Sequence, residues 1–302
     1  MQIHGNPVCV AEVKDLCGEG AVWHAAEGVL YWTDINRFLI HSYDPADGRV
    51  QTWKFQEPVT ALTLTDRPDT LAVVLGSKVI LWEPASNRSR DTAFHLKEWP
   101  ALRLNDARAD SRGSLWLGSM GNNLKPDGSS CQATGSNGVL YRFDPDGAIR
   151  EWKQHVGISN TVAWSPDQKS FYFADSTANV LWVYDYDNAT GQISRERPFL
   201  TGFHRGVPDG SAVDEKGFLW NCRFGGGCIV RVAPDGRIDT IVEMPVTNIT
   251  TCTFGGDDLN TLYVTTAAVD APANEKLAGN LFAIQTEVRG QAENQFRIFG
   301  SR

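Results

Sequence analysis

Short apolar strands alternate with polar turns along most of this chain, and the alternation repeats. A strand that contains an aromatic side chain is followed by a second strand and by an Asp-Pro or Pro-Asp-Gly turn. The clearest copies are 29–32 with 43–48, 114–117 with 143–147, and 218–221 with 233–236. Strands rich in Val, Leu, Trp, Tyr and Phe, joined by turns that supply positive φ, predict antiparallel hairpins.

The spacing of the copies predicts the architecture. Successive copies are separated by 41, 44, 56, 48 and 43 residues, measured between Leu30, Leu71, Leu115, Phe171, Leu219 and Leu262. Four-stranded repeats at this period are typical of propeller blades. We therefore predict an all-β chain, a single domain over residues 1–302 that forms a six-bladed β-propeller of four-stranded antiparallel blades. Residues 7–13 are expected to pair with the last blade, because closure removes exposed strand edges.

Two polar stretches interrupt the repeat. Residues 121–137 account for the longest step, and residues 268–279 follow the last strand signal. A long loop on a rigid β scaffold is often a lid or a binding loop, although the first stretch is equally compatible with a tolerated surface insertion. No amphipathic helix longer than a turn or two is evident, so most aromatic side chains are expected to pack between blades.

Composition narrows the range of partners. The 302 residues contain 28 Lys and Arg against 36 Asp and Glu, which gives a net charge of −8. An acidic chain is poorly suited to nucleic acid or to an anionic membrane, so neither is expected as a partner. The sequence has no long apolar segment and no signal-like start, and its six cysteines are scattered without a CxxC pair. These features favour a reduced, cytoplasmic protein without disulfides.

Residues with oxygen-bearing side chains stand at the same position, or phase, in several copies of the repeat. The first strand of each propeller blade lines the central channel, so residues at the same phase form a ring. Ten to twelve residues before four of the six anchors stand Glu19, Asn105, Asn160 and Asp209. Two carboxylates and two carboxamides suit one divalent cation, whether Ca²⁺, Zn²⁺, Mn²⁺, Mg²⁺ or Fe²⁺. Each residue alone is explained as well by capping its own turn, and only the set in phase favours a metal.

Other chemistry-bearing residues do not share this phase. Asp34, Asp110, Asp175 and Asp214 recur near strand ends and are expected to stabilise turns on the blade exterior, whereas Asp106 adjoins Asn105. The six histidines have no common phase and no metal-ligand spacing. The chain also contains no GxSxG elbow and no nucleotide-binding glycine motif in a strand–helix context. A serine hydrolase or a nucleotide-dependent enzyme is therefore not supported.

With these residues the chain resembles the senescence marker protein/gluconolactonase/luciferin-regenerating enzyme family, six-bladed propellers that hydrolyse sugar lactones. The resemblance implies that Glu19, Asn160 and Asp209 bind one divalent metal and that Asp209 also acts as the general base. It further implies that Arg103 and Asn105 hold hydroxyl and carbonyl oxygens of the substrate. The matching phrases are 18–23 (GEGAVW), 103–106 (RLND), 159–160 (SN), 208–210 (PDG), 254–256 (FGG) and 262–267 (LYVTTA).

Two positions depart from the family pattern. Some members carry a glutamate that contacts the sugar in the loop after the third anchor. This chain has MGNN at 120–123, and Asn123 is expected to take the place of that glutamate. The family usually has glycine after the residue that matches Asn160. The chain has Thr161 there, from which we expect that glycine backbone geometry is not needed at that point.

The resulting hypothesis is metal-dependent hydrolysis of a sugar aldonolactone to the aldonic acid. A pentonolactone such as arabinono- or xylonolactone is favoured, because segments 208–211, 219–221 and 224–226 are most similar to those of bacterial pentonolactonases. Two alternatives remain open. A non-catalytic binding scaffold would not need carboxylates in phase, and a calcium-dependent esterase or phosphotriesterase would favour a histidine near the channel mouth. The oligomeric state is not predicted.

Overall fold

The structure is a computed structural model that describes residues 5–133 and 135–298. Within these residues the regular elements are all β-strands, and no helix is present. The strands form six antiparallel sheets of four strands each. The predicted six-bladed β-propeller is therefore confirmed.

Strand β1 (Val8–Ala11) comes first along the chain and is followed by three blades in sequence order. Blade 1 comprises β2 (Gly18–His24), β3 (Val29–Asp34), β4 (Leu39–Asp44) and β5 (Arg49–Lys54). Blade 2 comprises β6 (Val59–Leu64), β7 (Leu71–Leu75), β8 (Lys78–Glu83) and β9 (Arg88–His95). Blade 3 comprises β10 (Leu102–Ala109), β11 (Leu115–Gly121), β12 (Gly138–Phe143) and β13 (Ile149–Val156).

The second half of the chain forms the other three blades. Blade 4 comprises β14 (Ser159–Trp164), β15 (Ser170–Asp175), β16 (Val180–Asp187) and β17 (Gln192–Leu200). Blade 5 comprises β18 (Val207–Val213), β19 (Leu219–Phe224), β20 (Cys228–Val232) and β21 (Ile238–Glu243). Blade 6 comprises β22 (Ile249–Gly255), β23 (Thr261–Thr266), β24 (Leu281–Gln285) and the N-terminal strand β1.

The ring is closed by strand pairing between the two ends of the chain. Strand β1 pairs antiparallel with β24, with Val8 opposite Ala283 and Cys9 opposite Phe282. This confirms the predicted pairing of residues 7–13. Because β1 is the outermost strand of blade 6, its backbone hydrogen bonds tie the first and last segments of the chain together.

The six innermost strands, β2, β6, β10, β14, β18 and β22, lie side by side around the central channel. Aromatic side chains fill the space between the blades, as predicted, and the largest of them are fully buried: Trp32, Trp82, Trp116 and Trp220. Burial of such large apolar surfaces supplies much of the stability of the fold. The innermost strands are thereby held in a fixed arrangement around the channel.

The turn aspartates lie deeper than expected. Asp110 and Asp214 stabilise their turns by accepting backbone N–H groups, but both are fully buried, so the prediction of an exterior position is wrong. Each second carboxylate oxygen accepts the indole N–H of a buried tryptophan, from Trp116 at 2.9 Å and from Trp220 at 3.0 Å. A buried indole N–H needs such a partner, and this tertiary contact draws the carboxylates inside.

The long loop of blade 3 reaches across blade 2 to blade 1. Asn36 Nδ2 of blade 1 donates to the carbonyl of Gly128 at 3.0 Å and lies 3.4 Å from Ser130 Oγ. We call residues 122–133 the blade 3 loop; Thr134, in the predicted stretch 121–137, lies outside the described residues. The loop follows β11, so it lies on the channel face from which the innermost strands start.

The opposite end of the channel is crossed by the C-terminal segment, residues 286–298. Its backbone bonds to the ends of innermost strands: Gln291 N–H donates to Val213 O at 2.9 Å, and Phe296 N–H to Leu64 O at 2.8 Å. Inside the segment, Glu293 forms an ion pair of 2.6 Å with Arg108 of β10. The segment therefore closes the far end of the channel, away from the blade 3 loop.

Candidate active site

The predicted ring residues all lie on innermost strands, near the start of each. Glu19 is on β2, Asn105 on β10, Asn160 on β14 and Asp209 on β18, and each retains only 4–8% of its exposure. Their burial in one channel mouth follows from the equal phase that the repeat predicted. The other two innermost strands contribute the buried threonines Thr60 and Thr250.

A register irregularity occurs at this phase in every innermost strand. The pairing with the second strand of the blade shifts between the residues 19/22, 59/61, 104/107, 160/162, 208/211 and 249/252. Such a bulge interrupts the two-residue alternation and re-aims the side chains beside it. Sequence reasoning did not foresee these irregularities, although all six fall at the phase of the ring.

Hydrogen bonds connect the amide-bearing members of the ring. Asn105 Nδ2 donates to Asn160 Oδ1 at 3.1 Å, and Asn105 Oδ1 accepts from Arg103 Nη1 at 2.6 Å. Arg103 Nε in turn donates to Asn123 Oδ1, the side chain of the blade 3 loop, at 2.9 Å. One continuous series of hydrogen bonds thus joins Asn160, Asn105, Arg103 and Asn123.

The two carboxyl groups of the ring, Glu19 and Asp209, lie next to each other in the channel mouth. Burial, with the nearby charge of Asp106, raises the pKa of Glu19 to about 8. Burial and the charge of Glu19 raise the pKa of Asp209 well above its usual range. Two adjacent carboxyl groups out of water need either a shared proton or a cation between them.

The side chains of the ring provide the oxygen ligands that a divalent cation requires. Glu19 and Asp209 offer carboxylate oxygens with no ion-paired Lys or Arg among the described residues, and Asn160 offers a neutral oxygen beside them. No three side chains of His, Cys, Asp or Glu in the described chain are arranged to hold a metal ion, so a cation here would also need carboxamide, backbone or water oxygens. Oxygen ligands with two negative charges fit a hard divalent cation.

Neighbouring polar groups orient the ring residues. Asn160 Nδ2 donates to Ser176 Oγ at 2.8 Å, which directs its carbonyl oxygen toward the ring, and Ser176 Oγ donates to Pro208 O at 2.6 Å. Asn221 Nδ2 donates to the backbone carbonyl of Asp209 at 3.2 Å. Ser176, in the turn after β15, and Asn221, on β19, were not among the predicted site residues, because neither segment carries a signal that places it beside this phase.

The expectation for Thr161 is wrong. Its φ is +52°, in the left-handed region, next to the bulge that follows Asn160. Gly20 has φ of +58° beside the bulge that follows Glu19. The backbone geometry typical of glycine is therefore kept, and a β-branched residue adopts it. The Thr161 hydroxyl donates to the carbonyl of Asp209 and lies 2.8 Å from Ser211 Oγ, contacts that offset part of the strain.

Two further groups lie near the carboxyl pair. Cys17 precedes Glu19, and burial, followed by the charges of Glu19 and Asp209, raises the pKa of its thiol well above the usual range. Burial raises the pKa of Asp106, and the charge of Arg108, followed by backbone hydrogen bonds from Ala107, Val162 and Thr161, offsets part of that effect. The position of Cys17 near the carboxyl pair had no signal in the sequence beyond its proximity to Glu19.

Comparison with known proteins identifies the family. A sequence model described as the SMP-30/Gluconolactonase/LRE-like region matches residues 17–268, which include all four ring residues. The chain belongs to this family. The resemblance stated from short motifs is therefore confirmed over most of the chain.

Relatives in the family match nearly end to end. The pentonolactonase of Haloferax volcanii is 32% identical over 94% of this chain and 96% of its own length. The 6-deoxy-6-sulfogluconolactonase of Pseudomonas putida is 32% identical over 95% of this chain and 97% of its own. A lactonase hydrolyses a cyclic carboxylic ester, so these relatives confirm the prediction of a carboxylic ester hydrolase.

A solved structure of the family superimposes closely. The calcium-binding protein regucalcin from Agrobacterium tumefaciens is 27% identical, with a TM-score of 0.87, over 97% of this chain and 98% of its own. The calcium in that description belongs to the relative. Nothing in the described part of our chain forms a helix of the length and hydrophobicity needed to cross a bilayer.

Proposed function

We propose that this protein hydrolyses a sugar lactone to the corresponding aldonic acid at the mouth of its central channel. The observation that carries the proposal is the buried Glu19–Asp209 pair. Beside this pair runs the series of hydrogen bonds that joins Asn160, Asn105, Arg103 and Asn123. This arrangement places paired carboxylates next to fixed hydrogen-bond donors, as an acyl transfer with an attacking water requires. The named lactonases of the family support the same reaction.

We propose that Glu19, Asp209 and Asn160 hold one divalent metal ion. When bound, such an ion supplies Lewis-acid polarisation of a carbonyl group. The two carboxylates would balance its charge and remove the need for a shared proton. Oxygen ligands suit Ca²⁺, Mg²⁺, Mn²⁺, Zn²⁺ or Fe²⁺, and the described calcium binding of the regucalcin relative makes Ca²⁺ the first ion to test.

The side chains of this site have separate proposed roles in lactone hydrolysis. Asp209 accepts the proton of the attacking water on its carboxylate, which lies buried beside Glu19 at the channel mouth. The water oxygen bonds to the carbonyl carbon, the ring C–O bond breaks, and the proton passes to the departing ring oxygen. Arg103 donates a hydrogen bond to a substrate oxygen and stabilises negative charge on the carbonyl oxygen, and Asn123 adds a polar contact. Asn105 would join them with the N–H that now donates to Asn160 Oδ1, once that oxygen binds the metal ion.

The sugar itself is a separate part of the proposal. We propose a pentonolactone, arabinono- or xylonolactone, as the first substrate to test, on the motif resemblance and the named pentonolactonase. The sulfogluconolactonase is equally identical to this chain, so identity alone does not choose the sugar. We also propose a cytoplasmic location, because all six cysteines lie within the described residues and are free.

The proposal is tested by acid release in a pH-indicator assay. Metal-stripped protein would be given pentono- and hexonolactones, with single divalent ions added back and spontaneous hydrolysis subtracted. Glu19→Ala and Asp209→Ala should each abolish both metal binding and activity, whereas Glu215→Ala, at an exposed site far from the mouth, should retain both. Folded wild-type protein that accelerates no lactone with any ion would overturn the proposal. Activity on phosphotriesters or aryl esters alone would favour the esterase alternative, and no activity on either class would favour a binding scaffold.

A further inference from the structure

Blade 1 contains a hydrogen-bonded Asp–His–Thr series that lies outside the channel mouth. His41 of β4 lies between Asp15, in the segment before β2, and Thr52 of the outermost strand β5. Its Nε2 is 3.1 Å from Asp15 Oδ1, and its Nδ1 is 2.8 Å from Thr52 Oγ1. Asp15 and His41 are buried, whereas Thr52 is exposed. The proposed lactone hydrolysis uses none of these three side chains.

The other partners of Asp15 fix the direction of these hydrogen bonds. Asp15 Oδ1 also accepts from Arg37 Nη2 at 2.7 Å, and Asp15 Oδ2 accepts from Trp32 Nε1 at 2.8 Å. Both carboxylate oxygens are therefore acceptors, so the proton of a neutral His41 imidazole lies on Nε2. Nδ1 then offers a lone pair, and the Thr52 hydroxyl donates its proton to it.

The repeat shows that packing does not require a histidine at this position. His41 lies opposite Trp32, the second residue after the repeat anchor Leu30. The residues at the same register in the other five blades are apolar or aromatic: Ile80, Tyr141, Trp182, Val230 and Phe282. Asp15 already accepts from Arg37 and Trp32, so it does not depend on His41 for a partner. The histidine therefore adds a group that neither the core nor Asp15 needs.

The arrangement of the three side chains suits acyl transfer. A hydroxyl that donates to a histidine, which in turn donates to a buried carboxylate, is activated as an oxygen nucleophile. The hydroxyl is here the exposed member, so an acyl donor can reach it from solvent while its two supporting groups stay buried. Among the described residues, no other hydroxyl lies within hydrogen-bond distance of a histidine ring nitrogen. Thr52 is thereby set apart from the other hydroxyl groups of blades 1 to 6.

We infer that Thr52 is a nucleophile that accepts an acyl group from activated carboxylic esters, with His41 as its general base. Thr52 Oγ1 forms a bond to the acyl carbon while the C–O bond to the leaving group breaks. The hydroxyl proton passes to His41 Nδ1 and from there to the departing oxygen, so the product is a threonine ester. This chemistry is separate from the proposed lactone hydrolysis, in which water attacks at the channel mouth and no covalent intermediate forms.

The test is acylation resolved by residue. Wild-type protein would be incubated with p-nitrophenyl acetate, quenched in acid at timed intervals and mapped by mass spectrometry of its peptides. Thr201 is the reference within each sample, because it is exposed and its side chain has no hydrogen-bond partner among the described residues. We expect Thr52 to be acetylated about tenfold or more faster than Thr201, the lower range of what a positioned base contributes.

Variants assign the reaction to its groups. His41→Phe removes the base and places there the residue type that blade 6 carries as Phe282, and it should slow acetylation at Thr52 to about the rate at Thr201. Thr52→Ser should keep the reaction at residue 52, and Thr52→Val should remove it. Thr201→Val is the matched control and should leave acetylation of Thr52 unchanged. Urea unfolding and lactone turnover, which should be retained in all four variants, confirm that each is folded.

Release of p-nitrophenolate covers the case in which the threonine ester is itself hydrolysed quickly. Faster release by wild-type protein than by Thr52→Val then supports the same nucleophile. Equal acetylation of Thr52 and Thr201, with equal release by wild-type protein and Thr52→Val, would overturn the inference. If Thr52 reacts faster but His41→Phe does not slow it, the assignment of His41 as the base is overturned. Wild-type protein that hydrolyses no lactone would overturn the proposed function alone, because the acetyl group is detected at residue 52.

Discussion

At the scale of single residues, the site depends on side chains that hold the backbone in unfavourable conformations. Thr161 is the clearest case, because a β-branched residue at φ +52° loses about 1 kcal/mol or more relative to glycine. Its hydroxyl compensates by donating to the carbonyl of Asp209, on the neighbouring innermost strand. One residue thus connects the bulge of β14 to the position of the proposed general base.

Thr161 variants should separate strain from hydrogen bonding. Thr161→Ala keeps a Cβ in the left-handed region and loses the hydroxyl, whereas Thr161→Gly loses the hydroxyl but relieves the strain. We expect Thr161→Ala to be the less stable of the two by about 1 kcal/mol in urea unfolding. Equal free energies of unfolding for the two variants would show that residue 161 does not have positive φ in solution.

At the scale of the elements, the blade 3 loop depends on one close contact. Gly128 has φ of +84°, and a Cβ added to it would lie 2.0 Å from the carbonyl oxygen of Asn36 in blade 1. No small adjustment removes such an overlap with backbone. The loop carries Asn123 to Arg103, so its docking on blade 1 and the polar contacts of the channel mouth are linked.

Gly128→Ala should release the loop from blade 1. We expect faster proteolytic cleavage within residues 122–133 and a higher KM for lactone, because Asn123 loses its fixed position. Gly147→Ala is the matched control: Gly147, in the β12–β13 turn, has φ of +87° but nothing within 4 Å of an added Cβ. It shares the backbone strain without the clash. If both variants are cleaved at the same rate, the docked position of the loop is not supported.

At the scale of the whole molecule, two terminal segments complete the propeller through contacts with residues far away in the sequence. Strand β1 closes blade 6, and the C-terminal segment covers the far end of the channel. Within that segment Glu293 Oε1 accepts from Arg108 at 2.6 Å and from Thr253 Oγ1 at 3.1 Å, in contact with blades 3 and 6. Arg108 follows Asp106 on the same strand, and its charge opposes the burial that raises the pKa of that carboxyl.

Glu293→Gln should measure how much the ion pair of this segment contributes to the free energy of unfolding. It leaves the mostly buried Arg108 guanidinium without its carboxylate, and we expect a loss of about 2 to 3 kcal/mol in urea unfolding. Glu243→Gln is the control, since the Arg205–Glu243 pair is exposed, at 43% and 69%, and should cost less than about 1 kcal/mol. Equal losses for the two variants would show that the segment does not bury its ion pair.

The sequence by itself determined the number of blades, their strand order and the phase of the ring. Each of these follows from local chemistry: two-residue alternation along strands, turn residues that permit positive φ, and a period of about one blade. For that reason Glu19, Asn105, Asn160 and Asp209 emerged from spacing and lie together at one mouth. Pairing of the N-terminal segment with the last blade was equally predictable, because an open ring leaves an edge exposed.

The tertiary structure alone decided which of these residues touch and how the channel ends are closed. The proximity of Glu19 to Asp209, the bulges that aim them and the positive φ of Thr161 depend on blades brought together around the channel. The burial of Asp110 and Asp214 depends on tryptophans that pack between blades. Docking of the blade 3 loop and the C-terminal ion pair join residues far apart in sequence. Such contacts leave no periodic signal, because their geometry exists only once the ring has closed.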